Sequence, residues 1–474
     1  MITFLLSVLL LVAAYFVYGK IVERFLGVDP GRKTPAYEMA DGVDYHPMPT
    51  WKVFIIQFLN IAGLGPIFGA VTGAAYGPAA YIWIVVGCIF MGGVHDFFAG
   101  MMSVHEGGVN MPEVTAKYLG RRMKIVMNFV VIFLLMAVGV SFVIGPSGLL
   151  QNLTGLSKEI WLYIIFGYYI IATLLPVDKI IGTIYPYMGA VLLFMAFGVG
   201  VMLVAGEING THHMVELTPA MLKNWHFNPE TNILVPMMFI VISCGAISGF
   251  HATQSPMMAR CLKNEKYARP VFYGAMVAEG IVAMIWATAA MAYCGGPEGL
   301  NNAMADGAQA ADLVDFICKT WLGRIGAVVA ILGVVICPIT SGDTAFRSLR
   351  LSLADMLKLD QKPILKRLLV CLPIFVAAFF FCKVDFSTAW SYLGIANQTL
   401  ATLVLWTGAA YLISKRKPHW MCSIPATFLT FICVSFIIIS PIGFQLPPIV
   451  GYIAGGVCAL TAFVLCIRLR PSSL

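Results

Sequence analysis

Residues 61–77 read IAGLGPIFGAVTGAAYG, and residues 242–256 read ISCGAISGFHATQSP. Each lies inside a long apolar stretch, 51–76 and 231–259, and each breaks that stretch in the middle with Gly, Ser and Pro. A helix in lipid must satisfy its own backbone, so unwound backbone at that depth is tolerated only inside protein or against a water-filled cavity. The two stretches begin 180 residues apart, and each opens a run of five apolar segments, 51–205 and 231–413. Five is odd, so the two runs enter the membrane from opposite sides. Paired broken helices in such runs are the signature of an inverted-topology repeat, with a solute site where the breaks meet.

Composition agrees that lipid is the solvent. Of 474 residues 59% are hydrophobic and 11% charged, with a mean hydropathy of +0.86. A soluble domain carries about 25% charged residues. A spanning helix needs about 20 apolar residues, and about thirteen candidates meet that test. They lie near 2–19, 51–76, 79–104, 122–145, 159–176, 182–205, 231–259, 267–294, 320–348, 364–382, 386–413, 419–440 and 449–469. Cytoplasmic loops carry the excess of Lys and Arg. With thirteen spans, 25 of the 30 basic residues fall on one side, which predicts an outer N-terminus and a cytoplasmic C-terminus. The first segment has its basic residues, Lys20 and Arg24, after the apolar run, the reverse of a cleaved signal peptide. The net charge of +7 therefore reports loop placement and not nucleic-acid binding. The expected organisation is an extra helix and loop (1–50), a first repeat (51–205), an outer loop (206–230), a second repeat (231–413) and two last helices (414–474), all α-helical.

The breaks suggest chemistry. Pro66 lacks an N–H and starts a helix better than it continues one. The half-helix from Pro66 would turn unpaired N–H groups toward the bilayer centre, where they favour an anion such as a carboxylate. Gly63 and Gly65 let a solute approach the backbone closely. In the second break Ser248, Gly249 and His251 are the candidate solute contacts, and Pro256 suits a first helical turn capped by Ser255. His251 could bind solute, relay a proton, or bond a neighbouring helix.

Charges within spans are rare and point to function. His95 and Asp96 stand in GGVHDFFAG (92–100), either a relay or a clamp between helices. Glu279 sits in mid-span with no partner near in sequence, and a carboxyl that takes up a proton is what proton coupling needs. Asp343 and Arg347, one turn apart, form a candidate gate pair. Thr340 and Ser341 offer hydroxyls that, with carbonyls around Ile61 and Leu64, could hold sodium. Asn397 and Gln398 read as a packing knot, because buried amides must find partners. Neither a resident cofactor nor a protein metal site is expected. The twelve cysteines form no C-x-x-C pair, GVDPGRKT (27–34) fails the phosphate-loop spacing, and no nucleophile triad is visible. A channel would gather short filters around an oligomer axis, which two matched breaks in one chain argue against, and an enzyme has no candidate residues.

Longer stretches carry a family resemblance. The run 61–97, IAGLGPIFGAVTGAAYGPAAYIWIVVGCIFMGGVHDF, closely resembles the carbon-starvation (CstA) transporter family. So do SGFHATQSPMMARCL (248–262), TSGDTAFRSLRL (340–351) and GIANQTLATLVLW (394–406). The resemblance implies a symporter of the bacterial inner membrane that imports peptides, or pyruvate in some members. An amino-acid symporter of the same fold is the alternative. It further implies the amino acid–polyamine–organocation superfamily and a LeuT-like 5+5 core over 51–413. By that analogy solute lies between 62–66 and 245–251, a sodium-like position involves Thr340 and Ser341, and the C-terminal region of the long members is missing.

Overall fold

The computed structural model describes residues 1–41, 45–174, 178–359 and 364–468, and among these every regular element is helical. Helix α1 (Ile2–Leu26) leads by a strap into the half-helices α2 (Thr50–Ile61) and α3 (Gly65–Tyr76), then α4 (Ala79–His105) and α5 (Arg121–Thr154). Helices α6 (Lys158–Leu174) and α7 (Asp178–Asn209) follow. After a loop come the half-helices α8 (Leu234–Val241) and α9 (His251–Ala259), then α10 (Glu265–Tyr293). The chain continues through α11 (Ala310–Met356), α12 (Ile364–Phe381), α13 (Phe386–Ser414), α14 (Trp420–Ile439) and α15 (Pro448–Arg468).

Eight of the described helices are long and apolar enough to cross a membrane, and nine if α2 and α3, bent by 54°, count as one span. Helices α12 and α13 cover the stretches expected as spans at 364–382 and 386–413, and neither is among those eight. The span expected at 159–176 appears as α6, its last residues lying outside the described ones, as do Lys362 and Arg470 of the basic loops. Bulky apolar side chains such as Phe129, Phe197, Ile453 and Leu460 are exposed, as lipid-facing surfaces require.

Burial sorts the helices. The apolar windows of α10 and α4 are 89% and 78% buried, against 28% for α1 and 22% for α15, so α4 and α10 are central and the terminal helices peripheral. Small residues allow that centre. A Cβ on Gly93 would come within 2.5 Å of the Tyr273 ring, and one on Gly100 within 2.5 Å of Phe272, so α4 and α10 pack at a distance only glycine permits.

The strap after α1 has a structural use that its near-match to a phosphate loop concealed. Thr34 Oγ1 donates to the Leu262 carbonyl (2.6 Å), and Asn264 Nδ2 to the Pro30 carbonyl (2.7 Å). The buried Glu265 carboxylate accepts from Asp29 N (2.8 Å) and Arg32 Nη1 (2.9 Å). GVDPGRKT thus fastens α1 to the turn between α9 and α10.

Candidate functional site

The first break spans Ala62–Leu64. Helix α2 ends at Ile61, and the chain re-enters helix at Gly65 with a wide π-type turn, Gly65–Gly69, that has Pro66 at its start. Gly63, Gly65 and Pro66 are all buried. The glycines are there for clearance. A Cβ on Gly63 would lie 2.7 Å from the Phe142 ring, and one on Gly65 only 2.0 Å from Cys244 Cβ.

Cys244 belongs to the second break, which runs from Ile242 to Phe250. The two breaks therefore pack directly on each other. In this conformation protein surrounds the unwound backbone between 62–66 and 245–251. Asn397 of α13 supplies most of the polar contacts. Its Oδ1 accepts from Phe250 N (3.0 Å) and Ser248 Oγ (3.1 Å), its carbonyl accepts from Gly249 N (3.1 Å), and its Nδ2 donates to Cys244 Sγ (3.3 Å). Gln398 Nε2 adds a bond to the Phe239 carbonyl (3.0 Å). The candidate solute contacts Ser248 and Gly249 are thus bonded to Asn397 in this conformation. Replacing Asn397 with Ala would strand two buried donors, each costing about 1–3 kcal/mol. The Asn397→Ala protein should show a clearly lower unfolding temperature in detergent, and an unchanged one would remove Asn397 as the brace.

Helix α9 starts at His251, five residues before Pro256, which the sequence placed in the first turn. Pro256 lies inside the helix, and Ser255 Oγ donates back to the His251 carbonyl (3.0 Å) instead of capping. Asn397 fixes the backbone just before the helix through the Gly249 and Phe250 N–H groups, while the first helical N–H groups, those of His251, Ala252 and Thr253, donate to the carbonyls of Ser248, Gly249 and Phe250.

That shift puts His251 at the head of α9, where it joins the His95–Asp96 pair of α4 and Glu279 of α10. Asp96 on α4 holds two imidazoles: His95 Nδ1 lies 2.8 Å from Oδ1, and His251 Nδ1 lies 2.8 Å from Oδ2. On the other side His251 Nε2 lies 3.2 Å from Glu279 Oε2 on α10, at an angle outside a hydrogen bond. All four side chains are fully buried. Glu279 has no partner near in sequence, yet it has one across the helices. With Nδ1–H donated to the Asp96 carboxylate, Nε2 of a neutral His251 presents a lone pair to Glu279. The His251–Glu279 pair therefore has a place for one labile proton, on either atom.

The candidates on α11 stand in separate arrangements. Ser341 Oγ points at the Leu59 carbonyl (3.5 Å), not at Ile61 or Leu64, and Thr344 Oγ1 donates to the Ser341 carbonyl (2.8 Å). Thr340 is half-buried beside it. Asp343 and Arg347 form an ion pair at 3.4 Å, and Arg347 Nη2 also donates to the Ala172 carbonyl of α6 (3.1 Å). None of these bonds reaches the His–Asp–His–Glu chain.

A cavity of about 260 Å³ lies against the breaks at one end. Thr72 and Tyr76 of α3, Val241 of α8 and Trp390 of α13 line it, together with His226 and Phe227 of the loop before α8. Trp390 Nε1 donates to the Val241 carbonyl (3.2 Å), the last residue before the second break. A Cβ on Gly69 would meet the same indole at 3.1 Å. Trp390 thus touches both broken segments at the floor of this vestibule, a role that no motif around it signals.

Comparison with known proteins accords with this geometry. The carbon starvation protein CstA family profile matches residues 1–145, 126–318 and 296–435. A membrane protein of Haemophilus influenzae is 43% identical over 353 residues, covering 65% of this chain and 95% of that one. The peptide transporter CstA of Bacillus subtilis is 24% identical over 525 residues, covering 89% and 87%. The pyruvate/proton symporter BtsT of Escherichia coli is 26% identical over 343 residues, covering 60% and 48%. Among solved structures, a manganese transporter of Eremococcus coleocola superposes with a TM-score of 0.54 at 12% identity, covering 90% of this chain and 97% of that one. Mhp1, a nucleobase-cation-symport-1 family transporter, gives 0.54 at 14%, covering 93% and 95%. The fold is LeuT-like, and the relatives are secondary transporters and not enzymes. Matched from residue 1 to residue 435, this multi-pass membrane protein belongs to the carbon starvation protein CstA family.

Proposed function

We propose that this transporter is a proton-coupled symporter that imports a small carboxylate-bearing solute, a peptide or pyruvate, by alternating access across the bacterial inner membrane. The N-terminus is outside and the C-terminus cytoplasmic, the 5+5 repeat spans 51–413 within thirteen spans, and the fold sits in the amino acid–polyamine–organocation superfamily. One observation carries the reading: the buried chain His95–Asp96–His251–Glu279, which links three helices through a side chain on a half-helix. Helix α9, bearing His251, must shift for the breaks to part, while Asp96 and Glu279 sit on the central helices α4 and α10. Any such shift changes the contacts that hold the proton. By linkage, proton occupancy then biases the position of α9, and α9 biases proton occupancy by the same free energy. Names of relatives support both solute classes, since CstA proteins are called peptide transporters and BtsT a pyruvate/proton symporter.

Sodium is the second reading, supported by Ser341 facing the Leu59 carbonyl. Proteoliposomes separate the two. With a pH difference imposed and no sodium gradient, labelled dipeptide or pyruvate should accumulate, and a proton ionophore should abolish accumulation. Accumulation that needs sodium and ignores the pH difference would overturn proton coupling.

A further inference from the structure

The vestibule above the breaks has a chemical character of its own. Among its lining residues Asp385 is the single charged side chain. His226 adds no cation: burial holds its imidazole down to about 4, and its Nδ1 accepts a hydrogen bond from Asn228 N at 3.1 Å. The rest of the lining combines the rings of Tyr76, Phe227, Phe386 and Trp390 with uncharged polar side chains such as Asn232 and Gln309, so no cation is present among the lining residues to hold an anion. Ring faces attract ammonium groups and offer nothing to a carboxylate. Tyr76 supplies a second, independent pointer: it is 1% exposed and its hydroxyl has no hydrogen-bond partner. Such a buried group costs free energy unless a ligand or water bonds it.

We propose that this vestibule is a recognition site for a protonated amine, so that the solute the transporter selects carries a free α-amino group, as a short peptide does and pyruvate does not. This rests on the symport reading above for its place in a transport cycle, but not for the binding itself. The Asp385 carboxylate would take the ammonium, with the Tyr76 hydroxyl accepting a second N–H. The N-terminus of α13 could in principle attract an anion instead. It is already served, because Asp385 is its N-cap and accepts from Thr388 N at 2.9 Å. That bond offsets part of the Asp385 charge, and an entering keto acid would still meet a like charge at the one ionised group of the lining. The volume, about 260 Å³, lies just below the about 300–1,000 Å³ of pockets for drug-sized ligands, which suits a solute of dipeptide scale. Because Trp390 bridges both broken segments at the floor, a solute held here touches the group that must move to admit it.

Equilibrium binding to the purified full chain in lipid nanodiscs tests this without any gradient, read by tryptophan fluorescence or calorimetry. The probes are alanyl-alanine, N-acetyl-alanyl-alanine and pyruvate. The free dipeptide should bind about tenfold or more tightly than its acetylated form, the size of a charge-assisted hydrogen bond. Asp385→Asn keeps an N-capping side chain and so the helix start. It should weaken dipeptide binding about tenfold and bring the free and acetylated forms together, and Asp385→Glu should recover part of the difference. Equal binding of the two dipeptides to the unaltered protein, pyruvate bound as tightly as the free dipeptide, or no effect of Asp385→Asn would each overturn the site. Loss of proton-driven uptake with amine-selective binding intact would instead count against the symport reading alone.

Discussion

Gly65→Leu should abolish solute uptake, and Gly65→Ala should reduce it about tenfold or more. The first methyl group already has no space: a Cβ at position 65 would sit 2.0 Å from Cys244 Cβ and 2.5 Å from Cys244 Sγ. Neither neighbour is the loose end of a long chain. Cys244 is held by Asn397 Nδ2, and Asn397 in turn braces Ser248 and Phe250. The clash must therefore be relieved by moving one broken segment away from the other. Overpacking a tight interior costs about 1–3 kcal/mol, and every 1.4 kcal/mol is about tenfold in a population. That cost falls on the closed state in which the breaks meet, through which an alternating-access cycle must pass. Loss of folding would mimic this result, so the decisive protein is the double variant Gly65→Ala with Cys244→Gly. It removes both clashing atoms and leaves the Cys244 Cα, at 3.5 Å, as the nearest contact. Uptake should recover in the double variant. Full activity in Gly65→Ala alone, or no recovery in a well-folded double variant, would show that contact between the breaks is not part of transport.

How much of this could be read from the chain alone differs between the two breaks. The first was legible because its causes are local: two glycines and a proline within four residues set both where α2 stops and where α3 starts. The second was legible as a break but misread as a boundary. Pro256 is a good helix starter in isolation, yet α9 begins at His251, where Asn397, 146 residues after it in sequence, pins the Gly249 and Phe250 N–H groups just ahead of the helix and local carbonyls take up the first helical N–H groups. A local rule could not see a brace delivered from another helix. The same limit separated His251 from Asp96 and Glu279. Each stood out as a polar group in an apolar run, and nothing in their spacing shows that three helices bring them within 3.2 Å. The overlooked residues are of the same kind. Trp390 and Tyr76 look like ordinary apolar surface until the vestibule places them at the seam of the broken segments.

Glu279→Gln should remove the effect of a pH difference on solute accumulation while solute exchange persists at a reduced rate. The argument follows the lone pairs. His251 spends its Nδ1–H on Asp96 Oδ2 at 2.8 Å, which leaves Nε2 to face Glu279 Oε2 at 3.2 Å. With one proton in the pair the contact is attractive, whichever atom carries it. With none, a carboxylate faces a ring nitrogen lone pair in a site sealed from water, where repulsion is poorly screened. The paired arrangement of α9 against α10 therefore favours a bound proton, and α9 can leave α10 more readily once the proton is gone. Gln in place of Glu offers His251 an amide N–H permanently: it resembles the protonated carboxyl and cannot release its hydrogen. In unaltered protein, one pH unit across the membrane supplies about 1.4 kcal/mol per proton, enough for about tenfold accumulation of a neutral solute at one proton per cycle. Uptake should rise as the outer pH falls. In Glu279→Gln, accumulation under the same gradient should stay near onefold and the pH profile should be flat. Exchange of labelled for unlabelled solute needs no net proton movement, so it reports whether the variant still folds and binds. The measurement is paired uptake and exchange in the same proteoliposome preparation. A Glu279→Gln protein that still accumulates solute about tenfold along one pH unit would show that the proton travels by another group, and that the His251–Glu279 contact only clamps two helices.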